Sequence, residues 1–370
     1  MPSRVAILPP VPVPYREPLF RALAGRGVIE PHVVYLAGSQ ESWDQPPDWF
    51  AGREGYASEV LSGWQRARPG RSPVTIARGV GSALDRLDPA CVVSWEFGPT
   101  TWRALAWCRR RRRPLVIFSE LTAWSDSELS PLQLRVHRLF APRADGFIVA
   151  SSQGAERLMR FGVDRGRVEV ALQSADLEPL LGLDRSGRSA GPLRIAVVGR
   201  LVPDKNLSLL IDAFAEAGVS GEAELVLHGS GPLEAELRER AARLGIAAQV
   251  SGPVAPAALR AVYANADVLA LVSTYEPFGV TMREGAAAGL PLLCSVRAGA
   301  AGDVAVDGEN ALLVDPDDRA ALVAALRRLV REPELRARLA AGSRAVTARH
   351  PLSADAEAWE RAILRLTAGR

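Results

Sequence analysis

The stretch LRIAVVGRLVPDKNLSLLIDAFAEA, residues 193–217, reads as a buried strand, a tight loop and a helix in succession. Leu193–Val198 is an apolar, partly β-branched run of strand length, broken only by Arg194. Leu207–Ala217 repeats its apolar positions with helical spacing, and Gly199 lies between the two. A largely apolar strand followed directly by a helix belongs to a parallel sheet with both faces covered. The same unit recurs downstream. Strands are predicted at Glu224–His228, Gln249–Ser251, Val268–Val272, Pro291–Ser295 and Ala311–Val314. Helices are predicted at Glu234–Leu244, Ala257–Asn265, Val280–Ala288 and Arg319–Val330.

Upstream, strands are predicted at Arg4–Leu8, His32–Leu36, Cys91–Trp95, Leu115–Phe118 and Gly146–Val149. Helices are predicted at Glu17–Ala24, Val74–Leu87, Thr100–Arg111, Leu129–Phe140 and Gln153–Phe161. The periodicity lapses over Ser174–Pro192, SADLEPLLGLDRSGRSAGP, which reads as a linker. The expected organisation is α/β: a Rossmann-like domain at 1–175, a linker at 176–192 and a second Rossmann-like domain at 193–351. Two such domains put a ligand cleft at the carboxyl ends of their strands.

Composition narrows the function classes. The 370 residues are 48% hydrophobic and 24% charged, an ordinary globular balance that excludes a disordered chain. No apolar run approaches the roughly 18–20 residues of a spanning helix, and the apolar start is too short for a signal peptide, so a cytoplasmic protein is expected. Cys91, Cys108 and Cys294 stand singly, without disulfide or zinc spacing. The four histidines also lack ligand spacing, so no metal is assigned. Residues 1–175 carry 23 arginines against 17 acidic residues, whereas the remainder carries 22 basic against 25 acidic. Of the 45 basic residues only Lys205 is a lysine.

That lysine marks the first chemical cluster. Gly199 at a strand end lets a ligand approach the backbone, and Arg200 with Lys205 on one loop suits a diphosphate. The second cluster is STYEPFGVTMREGAAAGLP, residues 273–291. Here Glu276 sits in a loop, Gly279 admits a tight helix entry, and Glu284 lies about one turn into the helix. The amides of a helix N-terminus form an anion site. Carboxylates on either side of it suit sugar and ribose hydroxyls. On spacing alone, surface pairing of Glu284 with an arginine stands as the alternative.

GRLVPDKN, HGSGP, EPFGVTMREGAAAG and AVDGENALLVDPDD, in that order, resemble the C-terminal domain of the retaining nucleotide-sugar glycosyltransferases of GT-B fold, family-4 type. The pair Glu276 and Glu284 matches the E-x7-E signature of that family. The resemblance covers residues 193–318 in detail and implies a transferase that moves a sugar from a nucleotide-diphosphate sugar to an acceptor hydroxyl with anomeric retention. It implies a nucleotide-sugar co-substrate and no cofactor or metal, in the service of glycan or glycoconjugate biosynthesis. By resemblance, Arg200 and Lys205 bind the diphosphate, Glu276 the donor sugar and Glu284 the ribose. Phe278, Gly279 and Val280 supply amides, and Gly252–Val254 seats the base. The family's final helix returns to the first domain, which here concerns residues 352–370.

The first domain matches more loosely. Tyr15 and Arg16 fall where the family lines the acceptor side. FSELTAW, with Ser119 and Glu120, stands where many members carry a histidine. Glu120 is either its substitute or a carboxylate balancing arginines. The acceptor class stays open among glycans, lipids and small metabolites. Asp315 and Asp317 form a D-x-D pair, read as surface loop. The run Arg109–Arg113 reads as a helix C-terminus, with peripheral contact to an anionic membrane as the competing reading; Trp102 and Trp107 on the same helix fit that contact or, equally, a place in the core. No recognition motif accompanies the arginines, so nucleic acid is not expected. A non-catalytic sugar-nucleotide-binding protein and a pyridoxal-dependent phosphorylase are the alternative functions.

Overall fold

The computed structural model describes residues 2–39, 53–68, 71–185 and 191–368. They form two α/β units, one built from residues 1–176 with 351–370 and the other from 177–350.

The first unit holds a seven-stranded parallel sheet of β1 (Ser3–Leu8), β2 (Ile29–Tyr35), β3 (Ala57–Val60), β6 (Cys91–Trp95), β7 (Leu115–Ser119), β8 (Gly146–Val149) and β9 (Val168–Val170), in the order β3-β2-β1-β6-β7-β8-β9. Its helices are α1 (Glu17–Arg26), α2 (Val80–Leu87), α3 (Pro99–Arg111), α4 (Pro131–Phe140), α5 (Ser152–Arg160) and the chain's last, α12 (Leu352–Thr367). Strands β1, β6, β7 and β8 are buried almost throughout, as their near-continuous apolar sequences require. The side chain of Ser130 accepts from the Gln133 amide while Gln133 returns a bond to the Ser130 amide, a reciprocal cap that sets the start of α4. Helix α12 is tied in by the Leu172 amide, which donates to Asp355 at 3.0 Å, and by Arg26, which donates to Glu360 at 2.9 Å. Trp359 is buried there against the rings of Phe20, Trp95 and Phe118.

The sequence reading needs correction between β3 and β6. Residues expected to be helical from Val74 form instead an antiparallel pair, β4 (Gly63–Arg68) with β5 (Arg71–Ala77), and helix α2 starts only at Val80. The β-branched run Val74, Thr75, Ile76 favours the strand. Gly79, at φ 83°, adopts the left-handed conformation that separates it from the helix.

The second unit's parallel sheet runs β12-β11-β10-β13-β14-β15, with β10 (Leu193–Val198), β11 (Ala223–His228), β12 (Ala248–Val250), β13 (Val268–Leu271), β14 (Leu292–Ser295) and β15 (Ala311–Val314). Its helices are α6 (Leu207–Ala217), α7 (Glu234–Leu244), α8 (Leu259–Asn265), α9 (Val280–Ala287), α10 (Arg319–Arg331) and α11 (Pro333–Arg349). The stretch read as linker carries a 3₁₀ turn at Glu178–Leu180 and groups with this unit from Leu177 onward. Leu210, Ile211 and Phe214 of α6 are fully buried in one apolar core with Ile195 and Val197 of β10. Burying each such side chain stabilises the fold by roughly 1.5–3 kcal/mol.

Both sheets reverse direction of growth once. The chain builds outward from β1 to β3 and then returns to β6 on the other side of β1. It does the same from β10 to β12 before returning to β13. Crevices at such reversals are where open α/β sheets bind ligands.

Candidate active site

At the reversal of the second sheet, β10 ends beside β13. Gly199 and Gly229 follow neighbouring strands, and a Cβ on Gly229 would lie 1.8 Å from the Gly199 carbonyl oxygen. Only a bare backbone fits there, which draws the two strand-end loops together. The Gly199 amide donates to His228 O at 2.9 Å and the Leu201 amide to Ser230 O at 2.8 Å. From this anchored loop the chain enters a 3₁₀ turn, Pro203–Lys205, closed by Asn206 in the left-handed region at φ 56°. The Asn206 side chain donates to Pro316 O at 3.0 Å and holds the turn from below.

The loop after β13 docks on that turn. The Thr274 amide donates to Asp204 O at 2.9 Å, and Glu276 reaches across so that the Lys205 ammonium forms an ion pair with its carboxylate. Ser273 donates to the same carboxylate at 3.5 Å. Side chains of Lys205 and Glu276 are 17% and 15% exposed, so the pair sits half-sheltered with one face open. Arg200 is exposed and forms no ion pair among the described residues. Glu276 is further fixed through its carbonyl, which accepts from the Gly299 amide at 3.1 Å. The Phe278 carbonyl accepts from Ala300 at 2.8 Å.

Gly279 then turns the chain into α9. Its φ is 97°, and a Cβ there would lie 2.7 Å from Leu271 Cδ2, so the position requires glycine twice over. The amides of Gly279, Val280 and Thr281 meet no backbone acceptor among the described residues, as expected of a helix start open to an anion. Glu284 lies just beyond the first turn of α9, where Tyr263 of α8 donates its hydroxyl to the carboxylate. Tyr263 is fully buried, and burial, reinforced by the Glu284 charge, raises its pKa well above the usual phenol value. Gly252 and Val254 lie in the loop after β12, where the Gly229 amide donates to Gly252 O at 2.7 Å.

Asp315 and Asp317 are both bound by the Arg297 guanidinium. Among the described residues, no cluster of three metal-ligating side chains occurs.

In the first unit, the corresponding reversal lies between β1 and β6. Arg16 is buried just beyond β1. Its guanidinium stacks over Trp95 at 4.7 Å from the ring centroid and over Tyr15 at 5.3 Å, and it donates to Glu120 at 2.7 Å. Tyr15 is fixed through its carbonyl, which accepts from Ser174 at 2.7 Å. Glu120 is thus paired with an arginine, which is compatible with either reading of it. Arg16 Nε and Trp95 Nε1 are buried without a hydrogen-bond partner among the described residues.

Two residues escaped the sequence reading. Glu96 follows β6 directly, in the left-handed region at φ 51°, and accepts from Ser119 Oγ at 2.8 Å and from the Glu120 amide at 2.7 Å. Burial pushes its carboxyl up to about 7, against the lowering effect of those bonds. A carboxylate at the end of an apolar strand, before the proline that opens α3, was the available signal. Tyr263 had none, since its meeting with Glu284 depends on how α8 and α9 pack.

Comparison with known proteins follows this division of the chain. The family described as "Glycosyltransferase Family 4" matches residues 18–178, and "Glycosyl transferases group 1" matches residues 184–346. The D-inositol 3-phosphate glycosyltransferase of Rhodococcus jostii is 33% identical over 235 residues, 59% of this chain and 50% of that protein. The MMP alpha-(1->4)-mannosyltransferase of Mycolicibacterium hassiacum is 34% identical over 192 residues, 50% of this chain and 45% of that protein. The chain thus spans about half the length of the curated relatives it matches. Among solved structures, Anabaena Alr3699/HepE in complex with UDP and glucose aligns with a TM-score of 0.77 at 18% identity, over 98% of this chain and all of that one. Sucrose-phosphate synthase from Thermosynechococcus elongatus aligns with a TM-score of 0.78 at 20% identity, over the whole of both chains. With a family match on each α/β unit and the fold shared along its length, the chain belongs to the family-4 type glycosyltransferases of the GT-B fold.

Proposed function

We propose that this protein is a glycosyltransferase that moves a sugar from a nucleoside diphosphate to an acceptor hydroxyl with retention at the anomeric carbon. The observation that carries the reading is the meeting of Lys205 and Glu276 beside the open N-terminus of α9, at the reversal of the second sheet. The diphosphate binds Lys205, Arg200 and the amides from Phe278 to Thr281. Glu284, held by Tyr263, accepts from the ribose hydroxyls, while Glu276 turns from Lys205 to the hydroxyls of the donor sugar. The base seats along Gly252–Val254.

In the transfer, the bond between the anomeric carbon and the diphosphate oxygen breaks, and its electron pair leaves with the diphosphate. Lys205 and Arg200 stabilise that growing charge in place, a kind of contact typically worth about 10²–10³ in rate. The acceptor oxygen bonds to the anomeric carbon from the same face, and its proton passes to the departing diphosphate. In this reading cations and amides hold the diphosphate in place of a metal, and Asp315 and Asp317 are paired with Arg297. Tyr15, Arg16 and Glu120 serve the acceptor. UDP in the HepE complex supports uridine diphosphate as the first nucleotide to try, and the inositol phosphate and mannosyl relatives support a polyol or glycan acceptor in glycoconjugate synthesis.

Incubation with α-linked nucleotide sugars and a panel of acceptors, followed by NMR of the product, tests the reading. An α-linked product supports it; an inverted linkage, or binding without transfer to any acceptor, overturns it.

A further inference from the structure

Helices α3 and α4 of the first unit meet through Trp102 of α3, which stacks on Phe140 of α4 at 5.4 Å between ring centroids. Residues 99–113 and 131–143, which cover these helices and the turns that follow them, hold nine arginines and no acidic residue. The Arg109–Arg113 run, singled out from sequence for membrane contact, is mostly occupied. Arg110 and Arg111 pair with Asp85 at 3.6 and 2.7 Å, and Arg113 with Asp88 at 3.4 Å. Trp107 is a core residue that donates to Asp85 at 2.9 Å. The unspent surface lies on α4 instead.

Leu132 and Leu139 are 71% and 52% exposed, two turns apart on one stripe of α4, about 10 Å along its axis. Arg135 lies on that stripe between them; Arg138, whose guanidinium lies over the Phe161 ring at 5.6 Å, flanks it, and neither forms an ion pair among the described residues. Arg143 caps the Leu139 carbonyl at the end of the helix. Trp102, 40% exposed, extends the apolar ground beside Phe140. Isolated exposed leucines are ordinary. An apolar stripe framed by cations, without a carboxylate on either helix, is the pattern of a helix that lies in a membrane interface.

We propose that the outward face of α4, with Trp102 of α3, docks on the surface of an anionic lipid bilayer, the leucines entering the headgroup boundary and the arginines meeting lipid phosphates. No described helix is long and apolar enough to cross a membrane, so the contact is one of lying on the surface. Nucleic acid would use the arginines but leave the leucines without a partner. This inference is independent of the sugar-transfer reading.

Co-sedimentation of the full chain with vesicles of phosphatidylglycerol and phosphatidylcholine, against phosphatidylcholine alone, tests it. Binding is expected only to the anionic vesicles and to weaken with salt. Arg135→Glu with Arg138→Glu lowers affinity about tenfold or more, and Leu132→Ser with Leu139→Ser also lowers it, with melting temperatures unchanged because all four side chains are exposed. Absence of vesicle binding overturns the proposal, as does binding that ignores both double variants. Self-association through this face, or preference for duplex DNA over vesicles, also overturns it.

Discussion

Lys205 and Glu276 stand 71 residues apart in the chain and meet as an ion pair at the carboxyl edge of the second sheet. The lysine is therefore held in position by the carboxylate that the donor sugar is proposed to claim. Glu276→Gln removes the charge that holds Lys205 and leaves the ammonium free for a diphosphate. We expect the variant to bind a free nucleoside diphosphate at least as tightly as the wild type, and to transfer sugar about 100-fold more slowly because the hydroxyl contact weakens. Titration calorimetry and initial rates separate the two effects.

Tyr263 acts on Glu284 alone, through a buried hydroxyl. Tyr263→Phe removes that bond and keeps the ring. The expected cost is about 1 kcal/mol of stability, with a several-fold rise in donor KM and a nearly unchanged kcat. A purely structural role would lower stability and leave KM alone.

Glycine is required at two site positions for different reasons. Gly229→Ala drives a methyl into the Gly199 carbonyl, where only backbone could yield, and is expected to cost about 3 kcal/mol or more. Gly279→Ala meets the flexible tip of Leu271 but keeps a left-handed φ, for about 1–3 kcal/mol. Denaturant melts of both, beside Gly25→Ala in open space on α1, give the ranking.

Glu96 provides a pH signature in the first unit. Burial lifts its carboxyl from the ordinary 4.5 to about 7, so the folded protein holds this proton more tightly than the unfolded chain. Its contribution is complete below pH 4.5 and is lost as the pH rises through 7. Stability is therefore expected to fall across that window, by on the order of 3 kcal/mol from this group. Glu96→Gln removes that part of the slope and is more stable than wild type at pH 8, as melts across pH 4–8 would record.

These relationships were unevenly legible in the sequence. The second sheet could be read almost strand by strand, because its strands β13, β14 and β15 are nearly unbroken apolar runs and most of the helices between strands repeat an apolar face with regular spacing. The β4–β5 pair was hidden, since Val74–Leu87 also fits a helical pattern and only the backbone at Gly79 breaks it. Helix α11 went unread because its arginines and alanines mark no clear face. Arg200, Lys205, Glu276 and Glu284 were recognisable by residue type and order. That Lys205 pairs with Glu276, that Arg16 pairs with Glu120, and that Glu96 and Tyr263 hold their neighbours are facts of long-range packing, which spacing along a chain does not record.

The central claim is that the reversal of the second sheet is the nucleotide-sugar site. Calorimetric titration of UDP, GDP and ADP into the wild type, Lys205→Ala and Glu284→Ala tests it most directly. The account predicts that one nucleotide binds the wild type selectively. Lys205→Ala then weakens it about tenfold or more through the diphosphate, and Glu284→Ala weakens it through the ribose. Undiminished binding by both variants, or no binding of any nucleotide to the wild type, would contradict it.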